Sequence, residues 1–268
     1  MKQVFAAEWL LLRRSPFIWF SLVLLALLSC VEILSTYGML EMGFLPSSLA
    51  TAALRTPDFL FLYVLPSNLT FGIPVILFFS SLALGGEYAW ETVRWPLVAG
   101  YSRSQVLSGK MLALALTGTL GGAVNVFVGS VAGFLVNIWL GQPVGAMSGE
   151  IISRAFSTFL FSVLAGWVYI AFVAALVVLS RSALVALAIG LLVYFVGVLL
   201  SQVFMPGSEP WDLLRPYSLS CNAMQLVKPS EGAMFPVFGL RPILVLVAYG
   251  SLWFTLALVA FKRQDITG

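Results

Sequence analysis

The sequence predicts an all-α, polytopic membrane protein: six transmembrane helices, an N-terminal interfacial helix and a charged cytoplasmic helix segment between spans two and three. Three observations carry that expectation. First, the chain of 268 residues is 60% hydrophobic and only 9% charged. A soluble domain carries roughly a quarter charged residues, so this one could not cover its surface in water. Second, uncharged runs recur at 17–31, 59–86, 111–149, 155–180, 182–208 and 242–261. A bilayer-spanning helix needs about 20 apolar residues, so most of these runs suffice alone and the first suffices with its flanks. Third, the basic residues are placed unevenly. With the N-terminus inside, Lys2, Arg13, Arg14, Arg94, Arg103, Lys110, Arg181, Lys262 and Arg263 fall on the inner side, while Arg55, Arg154, Arg215, Lys228 and Arg241 fall outside. That is the sense of the positive-inside rule, and it places both termini in the cytoplasm. The whole chain, 1–268, reads as a single transmembrane domain of the cell membrane, and its net charge of +3 gives no reason to expect nucleic acid.

Residues 2–14 form a short interfacial helix in this reading, within an N-terminal segment spanning 1–15. At helical spacing Lys2, Gln3, Arg13 and Arg14 share one face, and Val4, Phe5, Trp9, Leu11 and Leu12 share the other. Glu8 and Leu10 interrupt the pattern. Ser15-Pro16 then marks a break, because proline suits a first helical turn and disfavours helix in the residue before it. A continuous helix with snorkelling arginines is the alternative. Arg13-Arg14-Ser15-Pro16-Phe17 and Leu27-Leu28-Ser29-Cys30 have the look of targeting signals, but five further spans follow, so the segment is expected to be retained.

Span one carries Glu32, about four residues inside its outer end. An ionisable group at membrane depth faces a cavity or a partner, or reaches back to the headgroups. Glu32 is therefore a candidate cargo-path residue, with an interfacial carboxylate as the other reading. From Thr36 to Leu65 the chain reads as an outer loop with one or two short helices. Span two contains Pro66 and Pro74, so a kink is expected in its outer half. Asn68-Leu69-Thr70 matches a glycosylation acceptor by accident of composition. Span three is glycine-rich, which favours close helix approach, and Asn125 within it is the second candidate for a cargo path. An uncharged loop follows around Gly141-Gln142-Pro143. Arg181, between Ser180 and Ser182, marks a tight inner hairpin between spans four and five. Residues 206–241 form a proline-rich outer segment in which 218–227 is a short helix. Cys30 and Cys221 both map to the outer side; a bridge and two unpaired thiols both stand, the second favoured. With no histidine, no metal cluster is proposed.

The charged island between spans two and three, 87–110, holds Glu87, Glu91, Thr92, Arg94, Ser102, Arg103 and Lys110. It is longer than a simple connection requires. Glu87 and Glu91 lie four apart and Glu91 and Arg94 three apart, so each pair would share a helix face. Trp90 and Trp95 suit a membrane interface. Pro96 ends the first helical piece in this reading, and Ser102 caps the next. The island would form an elbow that presents charge and hydroxyls to a soluble partner; the plain alternative is a solvated loop that only sets orientation.

Taken with the basic helix before span one, Arg215-Pro216-Tyr217 before span six and the tail Lys262-Arg263-Gln264-Asp265, this island resembles that of the small ABC-2 type permeases, the membrane subunits of ATP-binding cassette exporters. The resemblance spans nearly the whole chain in layout and is most specific at Glu87, Thr92, Arg94, Ser102, Arg103 and Lys110. Glu91 departs from the glycine that family members often carry there. The resemblance implies a half-transporter that pairs with a second permease copy or a homologous permease, embedded in membrane lipid. It also implies that 87–110 contains the coupling helix docking on a separate nucleotide-binding ATPase, beside the interfacial helix with Lys2, Trp9, Arg13 and Arg14. ATP and magnesium would sit on that partner. The chain itself contains no G-x-x-x-x-G-K-[ST] phosphate loop, so no catalytic, cofactor or metal residues are assigned. An apolar interior favours an amphipathic or lipid-like solute for export. The competing expectation is an ion-coupled carrier or channel subunit, which needs polar groups near the midplane. An intramembrane enzyme lacks a plausible constellation.

Overall fold

Among the described residues every regular element is a helix. The structure is a computed structural model, and it describes residues 2–42, 64–90, 92–139, 141, 148–203, 215–227 and 239–264. In chain order the helices are α1 (Lys2–Arg14), α2 (Pro16–Glu41), α3 (Leu65–Ala89), α4 (Arg94–Val98), α5 (Arg103–Trp139), α6 (Gly149–Ser180), α7 (Ala183–Val203), α8 (Leu219–Val227, after a 3₁₀ turn Arg215–Tyr217) and α9 (Leu240–Arg263). Six of them, α2, α3, α5, α6, α7 and α9, are long and apolar enough to cross a membrane. Most of the two expected outer segments, together with Glu91, Gln142 and Pro143, lies outside the described residues.

Helix α6 is the axis of the bundle. It packs against α3, α5, α7, α8 and α9, and 72% of its apolar window is buried, against 11% for α9. Its inner stretch of Ala165, Val173, Ala174, Ala175 and Val177 is fully covered. Small and β-branched side chains there let the surrounding helices come close. Ser148 starts α6 by accepting the Ile151 amide at 3.3 Å, with Glu150 in the first turn beside the positive end of the helix dipole. Arg181 ends it in the left-handed region at φ 53, its amide bonded to the Val177 carbonyl. The Ser182 hydroxyl then receives the Val185 amide, so the hairpin read from Ser180-Arg181-Ser182 is present.

Polarity within α2 runs opposite to that of a soluble helix. Phe17, Phe20, Val23, Leu27, Val31 and Leu34 point outward, whereas Ser21, Ser29 and Tyr37 share the buried face with Ile18, Leu25 and Ile33. That face lies on α5, where Tyr37 donates to Asn137 at 2.9 Å and Ser29 to Asn125. Both numbers rise together along the two helices, so α2 and α5 run parallel. Apolar outside and polar inside is stable where the surrounding medium is itself apolar.

One boundary differs from expectation. Helix α2 continues through Thr36 to Glu41, because only Gly38 in that stretch opposes helix and Tyr37 is anchored on Asn137. Glu32 is therefore half-buried in the helix body, not near its end. In α3, Pro66 and Pro74 flank a π-helical stretch, Asn68–Gly72, which accommodates the missing proline amides as a widened turn.

The tightest approach of a glycine to another helix's backbone is α3 against α7. A β-carbon on Gly85 would sit 2.5 Å from the Ala183 Cα and 2.7 Å from its amide nitrogen. Backbone cannot yield there. Gly85→Val is expected to destabilise the protein by about 1–3 kcal/mol, outweighing the few tenths gained in helix propensity. An unchanged melting temperature in detergent would mean that these helices do not meet at Gly85.

Candidate functional site

The charged end of the bundle is built by stacking α1 on α5. At Gly109 a β-carbon would meet Val4 Cγ1 at 2.8 Å and the Phe5 amide nitrogen at 3.3 Å, so glycine allows the two backbones to touch. The next residue, Lys110, is buried and contacts two carboxylates at once: Glu8 of α1 at 2.5 Å, and Glu87 of α3. With both carboxylates ionised the triad carries a net charge of −1, and it joins three helices that are separate in sequence.

Further bonds stitch the same end. Tyr101 donates to Gln3 Oε1 at 2.8 Å, and Tyr88 to Gln264 Oε1 at 3.1 Å. Gln264 Nε2 donates to the Val178 carbonyl. Arg103 Nη1 donates to the carbonyls of Phe261 at 3.3 Å, Lys262 at 2.8 Å and Gln264. These are the carbonyls that the last turn of a helix leaves without an intrahelical partner. Arg103 therefore caps α9 and is not directed away from the protein.

Between α3 and α5 the chain makes the elbow. Helix α3 stops at Ala89 and α4 begins at Arg94; the pairings read for Glu91 lie outside the described residues. Pro96 does not end a helical piece. It lies within the first turn of α4, where its absent amide costs nothing. Ser102 caps α5 as expected, and reciprocally: its hydroxyl accepts the Gln105 amide at 3.3 Å, while its own amide donates to Gln105 Oε1 at 3.2 Å. On the outer surface of the elbow stand Trp90, Trp95 and Val98, exposed by 81%, 74% and 85%. Thr92 and Arg94 are exposed beside them.

Half-way along the bundle lies a second polar group. Asn125 of α5 donates to Ser67 at 2.7 Å and Asn68 at 2.8 Å, and accepts from Ser29. Asn68 in turn donates to Ser162 of α6 at 3.3 Å. Four helices meet through five side chains, beside the π-helical turn. A cavity of about 30 Å³ adjoins them, room for one or two waters.

Of the residues singled out from sequence, the structure brings Glu87 and Lys110 together and adds Glu8, which the helical pattern had treated as an interruption. The buried stripe of α1 is Val4 and Glu8 with Leu12 against the core, not one containing Leu11, which is 65% exposed. Lys2, Arg13 and Arg14 are exposed and Trp9 half-buried. The break at Ser15 is spanned by the Trp19 indole donating to the Arg13 carbonyl at 3.0 Å. Lys110 and Arg103 are taken up within the chain; Thr92, Arg94 and Ser102 of that island are exposed. Asn125 is spent on neighbouring helices, and Glu32 does not line the cavities described here. Asn68 is buried in the same cluster as Asn125. Cys30 and Cys221 are free thiols. A larger groove of about 500 Å³ runs between α5, α6 and α9, walled by Met111, Trp167, Val247 and Phe254.

An all-α bundle with six bilayer-length helices and a stitched, charged end defines the class of this protein. The chain belongs to the family described as "Protein of unknown function (DUF2705)", the match covering residues 23–267. No curated protein matches it.

Proposed function

We propose that this chain is the membrane subunit of an ABC-2 type transporter, which docks its elbow, 90–102, on a separate ATPase and exports an amphipathic or lipid-like solute. The observation that carries this reading is the elbow itself. Two tryptophans and a valine stand exposed around a five-residue helix, beside Arg94, at the end where most of the basic residues lie. Clustered exposed aromatics beside an arginine are the composition of a protein-binding hot spot.

The stitching gives the elbow leverage. Because Glu8–Lys110–Glu87, Tyr101–Gln3 and Arg103 join α1, α3, α5 and α9, a push on α4 is transmitted to four helices together. An ATPase that binds ATP more tightly when closed would shift the bundle between two states through that push. In this proposal the elbow and both termini face the cytoplasm of a cell-membrane protein, α1 lies in the interface, a second permease copy or a relative completes the translocation path, and the groove between α5, α6 and α9 supplies an apolar wall. ATP and magnesium stay with the partner, and the chain itself catalyses nothing.

Detergent extraction from the native membrane should bring down a soluble ATPase, read as ATP hydrolysis in the purified complex. The paired change Arg94→Glu and Val98→Asp should release that activity while the chain stays inserted. Arg103 is unsuitable for this test because its loss would uncap α9. Retained ATPase in the variant would overturn the docking site. Transport by the lone chain in vesicles on an ion gradient would favour the other reading, a carrier, for which the Asn125 cluster is the midplane polarity.

A further inference from the structure

The pocket beneath α1 ends on the triad that links α1, α3 and α5, and the docking proposal gives the pocket itself no ligand. It measures about 210 Å³ and lies between α1, α2, α3 and α5. Glu8, Glu87 and Lys110 form its polar end; Leu12, Ile18, Phe79 and Leu114 are among its apolar walls; Leu11 and Phe17, both exposed, stand at its mouth. Lys110 contacts Oε1 of each carboxylate. The second oxygen of each accepts no hydrogen bond among the described residues. With all three groups ionised, two carboxylates share one ammonium and one negative charge lacks an ion partner of its own, in surroundings where an unbalanced charge is costly.

We propose that this pocket binds the ammonium head group of an amphiphile, its chain lying along the apolar walls and out past Leu11 and Phe17. Three features select that chemistry. The net charge calls for a cation, the open carboxylate oxygens call for N–H donors, and the walls call for hydrocarbon. The volume is too small for a drug-sized ligand but suits a head group and the first carbons of a chain. An anionic head would meet two carboxylates for one lysine. This site stands whether or not an ATPase drives the chain.

Native mass spectrometry of the full-length protein, released from a neutral detergent, tests it. The protein is offered equal amounts of dodecylammonium and dodecyl sulfate, and separately phosphatidylethanolamine and phosphatidylglycerol. Retention of the ammonium amphiphile should exceed that of its anionic counterpart on the order of tenfold, the size of one charge-assisted hydrogen bond. Glu87→Gln keeps the shape and leaves a neutral Glu8–Lys110 pair, so the preference should vanish while the protein remains monodisperse. Preference for phosphatidylethanolamine would identify a bilayer lipid as the source; preference confined to dodecylammonium would identify a single-chain amphiphile. Equal retention of cation and anion, or a preference that survives Glu87→Gln, would overturn the site. Should Glu87→Gln fail to fold, Glu8→Gln neutralises the same pocket and carries the same expectation.

Discussion

Lys110→Ala is expected to be the most damaging single substitution in the chain, costing about 3–5 kcal/mol, the range for removing one partner of a buried ion pair. The reason is what remains. Glu8 and Glu87 would face each other across the space that the ammonium had filled, and their repulsion would lift α1 off α5 at Gly109. The measurement is the melting temperature of the purified protein, together with protease cleavage within 2–14. Replacing all three residues by apolar groups of similar size (Glu8→Leu, Lys110→Met, Glu87→Leu) should recover most of the loss, because an intact apolar cluster avoids the desolvation that the ions incur. A Lys110→Ala protein as stable as the parent would show that the triad does not hold these helices.

Asn125→Leu is expected to have the next largest effect. The side chain makes three hydrogen bonds to three neighbours, each worth about 0.6 kcal/mol in an apolar medium. Its loss also leaves the Asn68 carbonyl oxygen and the Ser67 hydroxyl short of a partner. A total of about 2 kcal/mol follows, concentrated at the crossing of α2, α3, α5 and α6. Hydrogen exchange should then accelerate over the π-helical turn at 68–72 more than at the α1 end. Uniform exchange, or no change, would mean that the cluster merely fills space.

Much of the architecture was legible because it is dictated locally. Long uncharged runs leave few alternatives to bilayer-length helices. Ser15-Pro16 and Ser180-Arg181-Ser182 are punctuation that acts within a turn, and the helix at Leu219–Val227 and the cap at Ser102 follow from nearest neighbours. The site was only partly legible, for a physical reason. Glu8 disrupted an amphipathic pattern, and no local rule could say that its partner was 102 residues away. Arg103 and Lys110 were read as outward-facing because isolated basic residues near a membrane edge prefer water. Here one is held by α9 carbonyls and the other by two carboxylates. Asn68 carried a usable signal, a polar amide inside an apolar run containing two prolines, but only with Asn125 and Ser162 beside it does the pairing become visible. Glu32 was placed near a helix end because the first run of apolar residues stops at Val31, whereas helix continues wherever tertiary contacts tolerate a Ser-Thr-Tyr-Gly stretch.

The long separation between Glu8 and Lys110 has a consequence for how the protein is made. Synthesis at about 5–20 residues per second puts roughly 5–20 s between the appearance of the carboxylate and that of the lysine which neutralises it. Throughout that interval Glu8 lacks its cation, so α1 cannot complete its seat on α5 until Lys110 has been made. The seating of α1 is thus tied to a residue made 102 positions after Glu8.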